Sequence, residues 1–241
     1  MPQILFISDL HLNADEPATV QRFESFCRDI APGSDAVYIL GDFFEYWAGD
    51  DDACAPFNAH IVRLLRQLSA QVGALYLLHG NRDFLLGEAF AKEAGVVLLP
   101  DPTVVDLYGR QAILTHGDAL CTDDLAYQQF RAMVRNPQWQ TQFLTQPLAV
   151  RKAVAEDLRR KSEASKQEKS ATIMDVNTEA VTALLRQYGQ RDLIHGHTHR
   201  PACHALQVDG ANCQRWVLPD WYEGKWGYLR CTPSEWQLLQ H

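Results

Sequence analysis

The sequence predicts an α/β fold, because three features of its 241 residues are typical of that class. Short apolar runs alternate with segments of helical periodicity through the first half of the chain. A long segment of helix formers follows, and the last part of the chain has the alternation and turn residues of β-hairpins. Polar residues stand directly after several apolar runs. Since open α/β sheets bind ligands at the carboxyl ends of their strands, these residues predict a functional site.

The first part of the chain has three predicted strands, at residues 4–7, 36–40 and 74–78, each a short apolar run next to turn residues. Two predicted helices lie between them, with one apolar face each: Val20, Phe23, Cys27 and Ile30 in the first, and Ile61, Leu64, Leu65 and Leu68 in the second. We expect Asp15 to cap the first helix, with Pro17 in its first turn. This alternation predicts a parallel sheet.

The second part begins with predicted strands at residues 96–100, 103–107 and 111–114. Helix formers dominate from Leu120 to Tyr188, with Asn177 as the predicted cap of the last helix, and a strand at 192–194 and β-hairpins follow. Because the helical segment lies between two strands with polar ends, we expect it to project over the site. The predicted division is a core of residues 1–119 and 190–241 and a helical cap insertion of residues 120–189.

Composition excludes several classes of protein. The net charge of −8 argues against general nucleic-acid binding, which needs a basic surface. The six cysteines form no CxxC pair, and no signal peptide is recognisable, so we expect reduced thiols in a cytoplasmic protein. No apolar run approaches the roughly 18 residues of a membrane span.

The polar residues after the predicted strands form a candidate metal site: Asp9, His11, Asp42, Asn81, His116, His197 and His199. Each alone is typical of a turn or of a hydrogen-bonded structural residue, but all follow strands that a sheet would bring together. Asp-x-His and His-x-His place two side chains on one side of an extended segment. Carboxylate, imidazole and amide ligands suit manganese, iron or zinc. The set is too large for one four-coordinate ion and suits two ions about 3.5–4 Å apart that share a carboxylate.

The motifs D-x-H, G-D, G-N-[HR]-D, H and G-H-x-H occur in this order along nearly the whole chain, and they resemble those of the calcineurin-like metallophosphoesterases. The resemblance implies a four-layer αββα sandwich, in which helices flank two central sheets. It also implies how the ligands divide. One ion would be held by Asp9, His11, Asp42 and His199, and the other by Asp42, Asn81, His116 and His197.

Arg82 stands where most of the family has a histidine that protonates a departing alkoxide. Arginine cannot donate a proton at neutral pH, but it pairs well with phosphate oxygens. The residue therefore favours a leaving group that needs no proton, such as a phosphate expelled from a pyrophosphate. The alternative is that Arg82 is a salt-bridge partner on the surface.

The stretches HGDALCTDDLAYQQFR, IMDVN and LIHGHTHRP, with the GNRD box, resemble the branch of this family that acts in bacterial lipid A biosynthesis. That resemblance implies hydrolysis of UDP-2,3-diacylglucosamine to lipid X and UMP by water activated by two Mn²⁺ ions, with attack on the α-phosphate. It also implies a peripheral position on the cytoplasmic face of the inner membrane. The implied catalytic residues are Asn81, Arg82 and His197, and the implied substrate contacts are Asn81, Arg82, Asp124, Ser162, Lys166, Lys169 and His197. Lys166 departs from the family pattern, in which a shorter polar residue is expected.

The predicted cap is basic in an otherwise acidic chain, with its positive residues concentrated between Arg151 and Lys169. Together with its apolar residues, this favours a lipid-like anionic substrate and contact with a membrane surface. The alternative is an insertion with its own small core and a solvated basic face. Two other functions remain open: a soluble phosphoesterase of nucleotides or small phosphodiesters, and a binding module without activity.

Overall fold

The computed structural model describes residues 2–168, 175–189 and 191–241, without the side chains of residues 161–168. The described strands are β1 (Ile4–Ile7), β2 (Ala36–Leu40), β3 (Leu75–Leu78), β4 (Val97–Leu99), β5 (Thr103–Leu107), β6 (Arg110–Leu114), β7 (Asp192–His195), β8 (Ala202–Val208), β9 (Ala211–Val217), β10 (Gly227–Cys231) and β11 (Trp236–Gln240). The described α-helices are α1 (Pro17–Ser25), α2 (Pro56–Ser69), α3 (Glu88–Ala94), α4 (Leu125–Val134), α5 (Pro137–Leu144), α6 (Leu148–Glu168) and α7 (Thr178–Gln187).

The strands form two sheets. The first has the order β11-β10-β1-β2-β3-β4 and the second the order β5-β6-β7-β9-β8. β1 to β4 are parallel to one another, and so are β6, β7 and β9. The parallel strands β1, β2 and β3 therefore end at one edge of the first sheet, and β6 and β7 end at one edge of the second.

Alternate side chains of β1 explain how the layers form, because successive residues of a strand point to opposite faces. Ile4 and Phe6 belong to the core between the sheets, and Leu5 and Ile7 belong to the core under α1, α2 and α3. A third core lies on the outer face of the second sheet, where α7 packs. The predicted four-layer αββα sandwich is confirmed.

The first helix begins differently from the prediction. α1 starts at Pro17 with Glu16 as its N-cap, and no side chain there bonds to the helix. The prediction that Asp15 caps this helix was wrong. The N–H of Asp15 donates to Asn13 Oδ1, and this bond closes a turn before the helix. In contrast, Asn177 caps α7 as predicted, since its Oδ1 accepts from the N–H groups of Glu179 and Ala180.

Helices α4, α5 and α6 lie within the predicted cap insertion and are together called the inserted segment. Polar contacts attach one side of this segment to the core. The buried guanidinium of Arg151 bonds to Asp51 and to the carbonyl of Ala48, and Lys152 Nζ lies 2.6 Å from Asp52 Oδ1. The attachment is apolar on another side, where Phe143 joins the core under the first sheet. The division of the chain into core and cap remains a prediction.

Candidate metal centre

The residues at the strand ends adopt an unusual backbone conformation. Asp9, His11, Asp42, His197 and His199 have φ values of 55°, 49°, 48°, 67° and 54°. Residues other than glycine rarely adopt this left-handed conformation, and such strain concentrates at functional sites, where the surrounding structure imposes it. Five of the seven predicted ligands share this strained conformation.

The first group of ligand atoms comes from Asp9, His11 and His199, and these atoms lie within 4.8 Å of one another. His199 Nε2 is 3.4 Å from Asp9 Oδ1. Asp9 Oδ1 and His11 Nε2 are both buried and have no hydrogen-bond partner within the described structure. Buried polar atoms of this kind need a partner, and a divalent cation coordinated by nitrogen and oxygen would provide one.

The second group comes from Asp42, His116 and His197, again with ligand atoms within 4.8 Å of one another. Asn81 adds an amide oxygen, since its Oδ1 lies 3.0 Å from His116 Nε2. Asp42 faces both groups: its Oδ1 is 3.6 Å from His116 Nε2, and its Oδ2 is 3.9 Å from His11 Nε2. This is the position expected for a carboxylate that bridges two ions.

Contacts made by the Nδ1 atoms orient three of the imidazole rings. Nδ1 of His116 donates to the carbonyl of Leu40 at 2.8 Å, because a carbonyl oxygen can only accept. Nδ1 of His199 lies 3.3 Å from Asp220 Oδ2, and Nδ1 of His11 lies 3.1 Å from Glu45 Oε2. In all three rings Nε2 is thereby left facing the centre, as is common for histidines that bind metals.

Two glycines allow the ligand loops to approach closely. A β-carbon at Gly41 would lie 2.6 Å from Gly80 Cα and 2.7 Å from His116 Nδ1. A β-carbon at Gly80 would overlap the backbone nitrogen of Asp42. The G-D and G-N motifs therefore require glycine because a side chain at either position would force the loops after β2 and β3 apart.

The charges of the site are strongly coupled. Burial alone would lower the pKa of His116, but the carboxylates of Asp42 and Asp9 raise it to about 9. Burial would also lower the pKa of His199, but the nearby carboxylates of Asp220 and Asp9 raise it to about 10. Burial and the neighbouring His116 instead lower the pKa of His197 to about 4. Without metal, protons on the imidazoles of His116 and His199 therefore balance the carboxylates of the centre, and a bound metal ion would replace those protons.

The GNRD stretch after β3 has a structural role besides supplying Asn81. The buried carboxylate of Asp83 accepts from Gly80 N through Oδ1 and from Phe43 N through Oδ2, both at 2.8 Å. The N–H of Arg82 donates to Asp42 Oδ1 at 2.8 Å. These bonds hold the loop that carries Asn81 against the loop that carries Asp42.

A cavity of about 590 Å³ opens above the two ligand groups. Asp42, Asn81, His197 and His199 line its polar end. The side chain of Arg82 also lines it and is only 11% exposed, so Arg82 is not the surface residue of the alternative interpretation. The apolar walls come largely from the inserted helices and their surroundings: Trp47, Phe84, Leu85, Phe130, Trp139, Phe143, Ala155 and Leu158.

The remaining predicted substrate contacts have different positions. Asp124 lines the cavity and also caps α4, where its Oδ1 accepts from Tyr127 N at 3.1 Å. Ser162 and Lys166 lie on α6 where the structure describes no side chains, and Lys169 lies outside the described residues. Their roles stay predictions.

Two residues of the cavity were not predicted from the sequence. Glu45 is buried beside His11, and Tyr127 stacks against His197. Glu45 follows a predicted ligand by only three positions, and this proximity was a signal for it. Nothing in the sequence distinguishes Tyr127 from the other aromatic residues of the inserted segment.

Comparison with known proteins agrees with this geometry. The family model described as calcineurin-like phosphoesterase matches residues 2–201. The chain belongs to this family. The phosphoesterase is 54% identical over 226 residues to a UDP-2,3-diacylglucosamine hydrolase of Aromatoleum aromaticum. The aligned residues cover 94% of this chain and 91% of the relative. Proteins of the same name from Aeromonas hydrophila and Stenotrophomonas maltophilia are 49% and 48% identical, covering 98% and 97% of this chain and 98% and 96% of theirs. The resemblance drawn from the motifs is confirmed.

Proposed function

We propose that this phosphoesterase hydrolyses the pyrophosphate bond of UDP-2,3-diacylglucosamine, releasing 2,3-diacylglucosamine 1-phosphate (lipid X) and UMP. The observation that carries the proposal is the cavity, because it joins a metal-ligand centre to a long apolar wall. Its two ends match the two chemical parts of such a substrate, a charged pyrophosphate and a pair of acyl chains. Relatives of the same printed name cover nearly the whole chain, which supports the same assignment.

The ligand geometry supports divalent metal dependence, and we propose two Mn²⁺ ions as the cofactors. Asp9, His11 and His199 would hold one ion, and Asn81, His116 and His197 the other, with Asp42 between them. When bound, such ions activate water for attack on phosphorus and offset phosphoryl charge.

Arg82 is proposed to bind the phosphoryl oxygens and to stabilise the charge that develops on them. Its side chain lines the same cavity as Asn81 and His197, and its Nη1 lies 3.6 Å from Glu45 Oε1. Attack on the α-phosphate expels lipid X, whose phosphate needs no proton from an acid to depart. An arginine at this position is consistent with such a leaving group, because arginine keeps its proton at neutral pH.

The apolar walls are proposed to hold the acyl chains. Phe130 of α4, Trp139 and Phe143 of α5 and Leu158 of α6 all line the cavity. Asp124, and Ser162, Lys166 and Lys169 farther along the chain, are proposed to contact the sugar and phosphate of the substrate. A soluble phosphoesterase of nucleotides would have no use for an apolar wall of this extent, and the two complete ligand groups disfavour a binding module without activity.

Association with a membrane surface is the last part of the proposal. Among the described helices, none is both long and apolar enough to cross a bilayer. Large apolar side chains are nevertheless exposed on the inserted segment, including Leu125 (71%), Met133 (47%), Leu144 (42%) and Val150 (45%). We propose that this surface rests on the cytoplasmic face of the inner membrane, where an acylated substrate would enter the cavity.

The test is release of UMP from UDP-2,3-diacylglucosamine in detergent, with Mn²⁺ and with excess EDTA. A UDP-sugar without acyl chains serves as the comparison substrate. Trp139→Ala should raise the KM of the acylated substrate, whereas Gln142→Ala, at an exposed position of the same helix, should not. Equal turnover of both substrates by the wild-type protein would favour the soluble phosphoesterase instead.

A further inference from the structure

Glu45 is a buried acid in the cavity wall for which the proposed reaction gives no role. It follows β2 and the ligand Asp42, and only 7% of its surface is exposed. Its N–H donates to the carbonyl of Leu12 at 3.1 Å, which fixes its backbone against the loop after β1. Carboxylates are rarely buried without a partner, so the contacts of its two oxygens indicate what it does.

The two carboxylate oxygens contact different parts of the site. Oε2 lies 3.1 Å from Nδ1 of His11. Oε1 lies 2.8 Å from Nε of Arg159 and 3.6 Å from Nη1 of Arg82. One side chain therefore links a metal ligand, the proposed phosphate-binding residue and helix α6 of the inserted segment.

The contact with His11 selects the nitrogen that can bind a metal. A carboxylate oxygen accepts a hydrogen bond, so Nδ1 of His11 must carry a hydrogen. Nε2 is then left with its lone pair, and this atom is buried without a hydrogen-bond partner in the described structure, 3.9 Å from Asp42 Oδ2. Partners of this kind orient the ring and raise the basicity of the nitrogen that binds the ion.

The contacts with the two arginines concern phosphate binding, whereas the contact with His11 concerns metal binding. Arg82 is nearly buried, and Glu45 Oε1 is the carboxylate oxygen that approaches its guanidinium in the described structure. Arg159 reaches the same oxygen from α6, so the helix that supplies Leu158 to the apolar wall is tied to the polar end of the cavity. A cation held from one side in this way is preorganised for an anion on the other.

We propose that Glu45 is a positioning residue that orients His11 for metal binding through one oxygen and Arg82 for phosphate binding through the other. The part that concerns Arg82 rests on the proposed function. The part that concerns His11 does not, because metal affinity is measurable without substrate.

Two substitutions separate the effects of the contacts that the two oxygens of Glu45 make. Glu45→Ala removes both contacts and should weaken Mn²⁺ binding by about 10–100-fold, the usual cost of losing such a partner, and lower kcat as well. Glu45→Gln keeps one acceptor. Because Nδ1 of His11 must donate while Nε2 binds the ion, the amide oxygen should face His11 and the NH₂ group should face the arginines. Mn²⁺ affinity should then stay close to that of the wild type, while kcat falls about tenfold or more.

The matched control is Asp52→Asn. Asp52 is a buried acid of the following loop that also pairs with α6, through Lys152 Nζ at 2.6 Å, but it has no contact with His11 or Arg82 in the described structure. The control should leave Mn²⁺ affinity, measured by titration calorimetry, and kcat near their wild-type values.

Three results would overturn the proposal. The first is wild-type Mn²⁺ affinity in Glu45→Ala, and the second is wild-type kcat in Glu45→Gln. The third is an equal fall of kcat in Asp52→Asn and Glu45→Gln, which would assign that fall to the attachment of α6. If Glu45→Ala fails to fold, Glu45→Met, which also removes both acceptors but fills the space, replaces it in the metal-affinity measurement, and Glu45→Gln still tests the part that concerns Arg82. Absence of UMP release by the wild-type protein would contradict the proposed function, and the metal-affinity measurements would still test the role of Glu45.

Discussion

The ring of Tyr127 stacks on the ring of His197, with centroids 5.9 Å apart and an angle of 30° between the planes. Its hydroxyl donates to the buried Asp118 Oδ2 at 2.7 Å, and Arg131 Nε donates to the same oxygen at 2.8 Å. Helix α4 thereby contacts a proposed metal ligand and is anchored to the loop that follows β6. The inserted segment is thus part of the support of the metal centre as well as the wall of the cavity.

Tyr127→Phe should reduce stability more than activity. The ring contact with His197 is kept, but one hydrogen bond to a buried carboxylate is lost, which typically costs about 1.5–3 kcal/mol. The expected loss in the free energy of unfolding is measurable by urea denaturation. The control is Tyr222→Phe, because the side chain of Tyr222 is 56% exposed. This control should change stability by less than about 0.5 kcal/mol, and an equal loss in both variants would contradict the role given to the buried bond.

The ligand groups predict how metal content changes in variants. Asp42→Ala should lose both ions, because Asp42 faces both groups, whereas His199→Ala should lose mainly the ion of the first group. Activity should fall to background in each, while circular dichroism stays that of a folded protein. The measurement is metal content per chain by mass spectrometry after dialysis. Full metal content in Asp42→Ala would contradict the bridging position.

The raised pKa values of two histidines predict how the stability of the metal-free protein depends on pH. The pKa is about 9 for His116 and about 10 for His199, both above the ordinary histidine value of 6.5. Their contribution to stability is therefore fully present below about pH 6.5 and is lost as pH rises through about 9 to 10. The free energy of unfolding, measured in EDTA, should decrease across that window. In excess Mn²⁺ the decrease should be smaller, since the ion replaces the protons.

The fold and the gathering of the strand-end residues into two groups were predictable because their signals are local. An apolar run followed within two residues by Asp42 or His116 can be recognised without knowing its neighbours in space, and the alternation within β1 assigns its side chains to two of the cores. The contacts of Glu45 were not predictable, because His11 and Arg159 come from distant parts of the chain. Pro17 lies in the first turn of α1 as predicted, but the N-cap was mispredicted, because two acidic residues precede Pro17 and their order alone does not decide which of them is the cap.

The exposed apolar residues of the inserted segment predict binding to vesicles. A fully buried aliphatic side chain contributes about 1.5–3 kcal/mol, so the double substitution Leu144→Ser and Val150→Ser should reduce partitioning to anionic vesicles at least about tenfold. Val97→Ser is the matched control, since Val97 is 52% exposed on β4, outside the inserted segment. Sedimentation with vesicles measures the effect, and equal binding by all three proteins would exclude this surface as the contact.

Arg82 gives the most direct test of the reaction. Arg82→Ala should lower kcat by about 10²–10³, the usual cost of losing one preorganised donor of charge stabilisation, with metal content unchanged. Arg82→Lys should recover only part of this loss, because an ammonium group cannot form the bidentate contact of a guanidinium. Arg82→His introduces a group that can donate a proton. It should not restore cleavage of a pyrophosphate, whose leaving group needs none, but it should raise the trace hydrolysis of an alkyl phosphodiester. Steady-state rates of the three variants on both substrates check this, and wild-type cleavage of the pyrophosphate by Arg82→Ala would show that the guanidinium takes no part in the reaction.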